Sequence, residues 1–194
     1  MSDVGSLAYR QAREDIQVGR IPRKYTRLLP YIEGDRILEI GAAEGVLSLL
    51  LAERGAHVTA MELREERHLE AKALQARWLS DGRQVGACRM CLGDIREHLS
   101  LLQGIDTLVA VRTVYYLRDD APRVFEAIAA AGVSNVVLCG NANRAARYHQ
   151  NPHDELGHFN RFASLEGMRQ LLHDAGYLIV KTDEGGDPVV VGAR

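Results

Sequence analysis

Apolar and polar positions along this chain follow two periods that take turns. Short apolar runs bounded by glycine or charged residues read as buried strands: RILEI (36–40), HVTAME (57–62), VGACRM (85–90), DTLVAV (106–111) and NVVLC (135–139). Between them, apolar residues recur at three and four positions, predicting helices over 46–54, stopped by Gly55, and 64–79, ending near Asp81-Gly82. A further helix carries Pro122 in its first turn and turns Phe125, Ile128 and Ala129 to one side. A last one starts at Ser164, sets Met168, Leu171, Leu172 and Ala175 on one stripe, and stops at Gly176. YLIVKT and PVVVGA, joined across 183–187, then read as an antiparallel hairpin. Strands alternating with helices predict a doubly wound α/β domain with a mostly parallel sheet, covered on both faces and wound right-handed. With the C-terminal antiparallel hairpin the expected count is seven strands.

Two stretches escape this rhythm. Residues 1–33 read as a helical cap interrupted at Gly19 and Pro22, with a short helix at 23–32, ahead of a domain spanning 34–194. Residues 140–163 read as a long loop rich in Asn and His; loops of that length in compact domains are commonly functional lids. Composition narrows the class. The 194 residues and 46% hydrophobic content suit one domain with a real core, and no apolar run approaches the roughly 18 residues of a membrane-spanning helix. Three cysteines make a poor disulfide framework, which points to a reducing cytoplasm. A net charge of −2 lacks the basic excess of extensive phosphate contact. The surplus of about two basic residues in 1–33 marks a solvated helical face.

The chemistry concentrates in RILEIGAAEGVLSLLLAERGAHVTAME (36–62). Gly41 follows the first strand at once and Gly45 opens the helix. There a missing Cβ lets backbone approach a ligand, and free N–H groups at the helix start form a polar cradle. Ala42 and Ala43 keep the approach uncrowded. Glu62 ends the second strand about twenty residues on, where a carboxylate can accept both hydroxyl protons of a ribose. Dinucleotide sites read G-x-G-x-x-G because a pyrophosphate packs on the turn; here those positions hold Gly41, Ala43 and Val46. A cofactor without phosphates but with an ammonium group suits Glu39 better, and that describes S-adenosylmethionine (SAM).

ILEIGAAEG resembles the first motif of the class I, Rossmann-like SAM-dependent methyltransferases, with Ala43 in place of the middle glycine. The resemblance runs from about Arg36 to the C-terminus and implies the fold predicted above. It implies that Glu39, Gly41, Ala42, Ala43 and Gly45 surround the methionine part of SAM, and that Glu62 with Leu63 holds the ribose. LGDI (92–95) resembles the family's third motif, which implies adenine binding by Asp94 and Ile95. VRTVYYLRD (111–119) resembles the segment after the fourth strand of small-molecule and tRNA-wobble-type members, with Tyr116 where many carry His.

Each remaining candidate has a plainer reading. Asp94 also suits a helix cap, and Tyr115 and Tyr116 a packed core pair. Arg112, at a strand edge, suits a SAM or substrate carboxylate or phosphate, or an ion pair with Glu39 or Glu44. His149, His153 and His158 share the 140–163 stretch with Asn141, Asn143, Arg144 and Asn151. Of these, His149 and His153 are candidate proton acceptors, with Tyr116 and Arg112 as further catalytic candidates. Their spacing matches no tight zinc site, and no metal is expected. Cys88 and Cys91 read as buried structural thiols. The expected partner is a small-molecule or sugar-type metabolite methylated on oxygen or nitrogen. RNA methylation and a non-catalytic SAM-binding regulatory module are the alternatives.

Overall fold

A computed structural model describes residues 14–16, 20–151 and 159–194 of the chain. Seven strands form one sheet: β1 (Arg36–Ile40), β2 (His57–Glu62), β3 (Cys88–Leu92), β4 (Thr107–Val111), β5 (Asn135–Cys139), β6 (Leu178–Asp183) and β7 (Val189–Ala193). Their order is β3-β2-β1-β4-β5-β7-β6. The first five pair in parallel, while β7 lies antiparallel between β5 and β6. β1, β2 and β5 begin and end where the apolar runs do. β3 starts later than expected: pairing of Val58 with Cys88 sets its register, and Val85 packs into the core from the preceding turn.

Helices cover both faces, as buried parallel strands require. On one side α1 (Arg23–Thr26), α2 (Val46–Glu53) and α3 (Glu65–Ser80) pack over Ile37, Val58 and Val109, with Leu47, Leu49 and Trp78 buried among them. On the other, α4 (Ala121–Ala130) and α6 (Leu165–Asp174) pack Phe125, Ile128, Met168 and Leu172 against Leu38, Ile40 and Leu108. The Ser164 side chain accepts from the Gly167 N–H, so the predicted cap of α6 forms.

The non-rhythmic stretches carry the differences. Residues 23–32 form not one helix but α1 followed by a 3-10 turn, Leu29–Tyr31, because Pro30 enters where an N–H would be needed. Tyr25, Leu28 and Leu29 bury in the same cluster as Ile37 and Val46, so this segment contributes to the domain core. The expected loop of 140–163 holds a helix, α5 (Ala142–Gln150), capped by the Asn141 side chain. Its residues are polar or small and none is buried, so it lacks the apolar stripe by which helices are read. His153 and His158 lie outside the described residues. Among the described residues no helix is long and apolar enough to cross a membrane.

Candidate active site

The strand order reverses between β1 and β4, and a crevice opens at that point beyond the carboxyl ends of the parallel strands. Its floor is the turn from β1 into α2. Gly41 has φ +69°, and a Cβ there would meet Thr113 Oγ1 at 2.2 Å, so only glycine lets the β1 and β4 turns close on each other. Gly45 has φ +71°, with Met90 Cε 2.9 Å from where a Cβ would sit. Between them Ala43 takes φ +50°, a left-handed conformation seldom held outside glycine. The residue replacing the motif's middle glycine thus adopts a glycine conformation.

Glu62 fixes this strained turn. Its Oε2 accepts from the Ala43 N–H at 2.8 Å and its Oε1 from the Arg64 N–H at 2.9 Å. Glu39 lies deeper, under α2, and is 1% exposed. Ser48 Oγ donates to its Oε2 at 2.5 Å. Burial pushes the Glu39 carboxyl up to about 7, against the pull of Ser48, with Glu62 adding repulsion and Lys24 opposing it. A carboxylate stripped of water with so little compensation is a natural counter-charge for an incoming ammonium.

At the β3 end, Asp94 Oδ1 accepts from the Arg96 N–H at 2.9 Å and its carboxylate pairs with the Arg96 guanidinium, which holds it below the usual range. Arg96 also reaches Asp120 at 3.2 Å. Residues 95–97 form a turn, so Asp94 caps no helix there. Ile95 is buried in the same core cluster as Met61, whereas Leu63, beyond β2, is 61% exposed.

The β4–β5 side is assembled from distant parts. Arg112 takes φ +54°, and its Nε donates to Asp187 Oδ2 at 2.6 Å, so the carboxylate it meets is Asp187. Asp187, in the β6–β7 turn, also accepts from the Ala142 N–H at 3.0 Å. Tyr115 is buried and Tyr116 is 60% exposed, their ring centroids 4.6 Å apart. The packed-core reading therefore holds for Tyr115 and not for Tyr116. Burial pushes the Tyr115 hydroxyl up to about 12. His149 is exposed and lines a separate groove of about 520 Å³ with Glu166, Arg169 and His173 along α6; none of the crevice carboxylates lines it. Burial raises the Cys88 and Cys139 thiols to about 12, in keeping with structural cysteines, whereas Cys91 is only half-buried.

Four residues of the site give little sign of themselves in the sequence. Ser48 is one hydroxyl in the apolar run VLSLLLA, and that interruption was its signal. Thr113 and Asp187 act through contacts 72 and 75 residues away in sequence, to Gly41 and Arg112. Lys24, on α1, is half-buried; burial and the nearby Arg112 hold its ammonium below its ordinary range, while Glu44 and Asp187 oppose them.

Known proteins share this architecture. Magnesium protoporphyrin IX methyltransferase from Synechocystis PCC 6803, with bound SAM, superposes with TM-score 0.65 at 18% identity, over 94% of this chain and 83% of that one. A TehB-like SAM-dependent methyltransferase from Corynebacterium glutamicum ATCC 13032 gives 0.62 at 16% identity, over the whole of both chains. No curated protein matches the sequence. A methyltransferase-domain model matches residues 9–182 and so takes in α1, the glycine turn, Glu62 and Asp94. By that match and the fold, the chain belongs to the class I, Rossmann-like family of SAM-dependent methyltransferases.

Proposed function

We propose that the chain transfers a methyl group from SAM to an oxygen or nitrogen of a small-molecule or sugar-type metabolite. The observation that carries this reading is the pairing of a glycine turn held by Glu62 with a buried, weakly compensated Glu39 in one crevice. SAM, when bound, supplies an electrophilic methyl on a cationic sulfonium. Glu39 and the Gly41–Gly45 turn would hold its methionine part, Glu62 and Leu63 its ribose, and Asp94 and Ile95 its adenine. Glu39 suits the ammonium, since an arriving cation stabilises the carboxylate that burial disfavours.

The reaction asks mostly for alignment and exclusion of water. The Tyr115–Tyr116 pair and α5 border the acceptor side, and Tyr116 presents the exposed hydroxyl there. Where the acceptor must lose a proton, this reading assigns Tyr116 to receive it. His149 has no place in this reading, since its groove lies along α6. A metabolite fits better than RNA: a net charge of −2 lacks the basic excess a phosphate backbone calls for, and Arg112, Arg96 and Arg27 at this edge are each paired with an aspartate. Calorimetry with SAM and S-adenosylhomocysteine tests the site. Saturable binding that Glu62→Ala weakens supports it, and unchanged affinity in that variant sinks it. Methyl-label transfer to a metabolite fraction, insensitive to salt, tests the acceptor class.

A further inference from the structure

Arg144 differs from its neighbours at the carboxyl edge of the sheet. Arg112 holds Asp187, Arg96 holds Asp94 and Asp120, and Arg27 holds Asp183. Arg144, half-buried on α5, meets no carboxylate among the described residues. Its Nη1 donates to the buried Asn160 at 3.1 Å and its Nη2 to the Tyr116 hydroxyl at 3.3 Å. Its guanidinium lies 4.5 Å from the Tyr115 ring centroid and 5.1 Å from that of Tyr116. The Asn141 side chain accepts from the Arg144 backbone N–H at 3.2 Å, fixing the first turn of α5.

The plane of the guanidinium is thus set by two rings and two neutral acceptors. Those partners orient the charge without cancelling it. A guanidinium has five N–H donors in a rigid fork, and two neutral hydrogen bonds leave donors free. Beside it the Tyr116 side chain is 60% exposed. A neutral acceptor would leave this half-buried charge uncompensated, whereas an oxyanion would complete it.

We propose that Arg144 determines acceptor specificity, its guanidinium receiving a carboxylate or phosphate of the methyl acceptor above the Tyr115–Tyr116 pair. The inference rests on the transferase reading above and narrows its substrate to anionic metabolites. Its position opposite the β1–β3 half leaves the SAM residues untouched.

The test splits a small-molecule cell extract by anion exchange before reaction, then supplies each fraction with methyl-labelled SAM and the full-length protein. Label should enter the retained, anionic fraction. Phosphatase treatment of that fraction separates the sources: loss of acceptor activity marks a phosphate, persistence a carboxylate. Arg144→Gln should raise the acceptor KM about 30-fold, as expected for losing a charge-assisted hydrogen bond, while SAM affinity by calorimetry stays within about twofold. Arg144→Lys should recover part of the loss. Label confined to the unretained fraction overturns the proposal, as does an Arg144→Gln protein with unchanged acceptor KM. Transfer into neither fraction by a protein that binds SAM overturns the transferase reading itself, and this inference with it.

Discussion

The two halves of the crevice are built on different principles. The β1–β3 half is local: Glu39, the 41–45 turn, Ser48 and Glu62 fall within one strand–helix–strand unit, and its key bonds run from two backbone N–H groups and the Ser48 hydroxyl to two carboxylates. The β4–β5 half is a mosaic of side chains drawn from α1, the β4 turn, α5 and the β6–β7 turn, held by Arg27–Asp183, Arg112–Asp187 and Arg144–Asn160. A common cofactor asks the same of every relative, and a turn with fixed dihedral angles can meet that demand. An acceptor that varies among relatives is met more readily by side chains on separate elements, which change independently.

The sharpest way to break this division is at the contact joining the halves. Gly41→Val places a side chain where Thr113 Oγ1 already lies and forces a left-handed φ on a β-branched residue. Overpacking of this kind costs about 1–3 kcal/mol, and the backbone adds about 1–2. SAM binding should vanish in calorimetry and the melting temperature should drop by many degrees. In Gly41→Ala, the companion change Thr113→Ala should restore part of the stability, because it removes Oγ1 and Cγ2 while the φ cost stays. No recovery would mean that backbone strain, not contact between the turns, sets the requirement for glycine.

Glu62→Ala comes next. It removes the acceptor for two backbone N–H groups, 2.8 and 2.9 Å away, and the proposed ribose carboxylate. At about 1–2 kcal/mol for each charge-assisted bond, SAM affinity should fall roughly 30-fold or more, with Glu62→Gln between. Acceptor specificity, belonging to the other half, should hold in whatever activity remains.

The same division explains what could be read from the chain. The strands were legible because buried parallel strands are continuous apolar runs, and the glycine turn with its two carboxylates was legible because Glu39 and Glu62 lie only 23 residues apart. Ala43 kept its place in the motif although the glycine was gone, since the turn dictates the conformation and a small side chain tolerates it. The acceptor half was opaque because nothing local marks Asp187 as the partner of Arg112 or Thr113 as the neighbour of Gly41. Polar α5 passed for a loop for want of an apolar stripe.

Glu39 offers a sharper measure of what the cofactor half costs the fold. Its carboxyl titrates near 7 in the folded protein, against 4.5 as the ordinary value. Between those values the folded state binds a proton that the unfolded state has released, so stability falls as pH rises through that window. Glu39→Gln removes the titration and should stabilise the free protein by on the order of 2 kcal/mol at pH 8, with little change at pH 4. Melting curves across pH measure this. In the wild type, SAM affinity should rise with pH toward 7 and binding should release protons, seen as buffer-dependent heats. Both effects should be absent from Glu39→Gln, and their survival there would move the titration to another group.

The smallest expected effect tests whether the turn's departure from glycine has a use. Ala43 holds φ +50°, where an L-residue is disfavoured by about 1–2 kcal/mol and glycine is not. Against this, glycine loses more freedom on folding, by about 0.5–1 kcal/mol. Ala43→Gly should therefore raise stability by only about 0.5 kcal/mol, a shift of one or two degrees in the melting temperature. The Glu62 bond to the N–H of residue 43 uses only backbone on that side, so SAM affinity should stay within about twofold. A large loss of affinity would show that the alanine methyl is itself a contact surface, and that the cofactor half, like the acceptor half, is built partly of side chains.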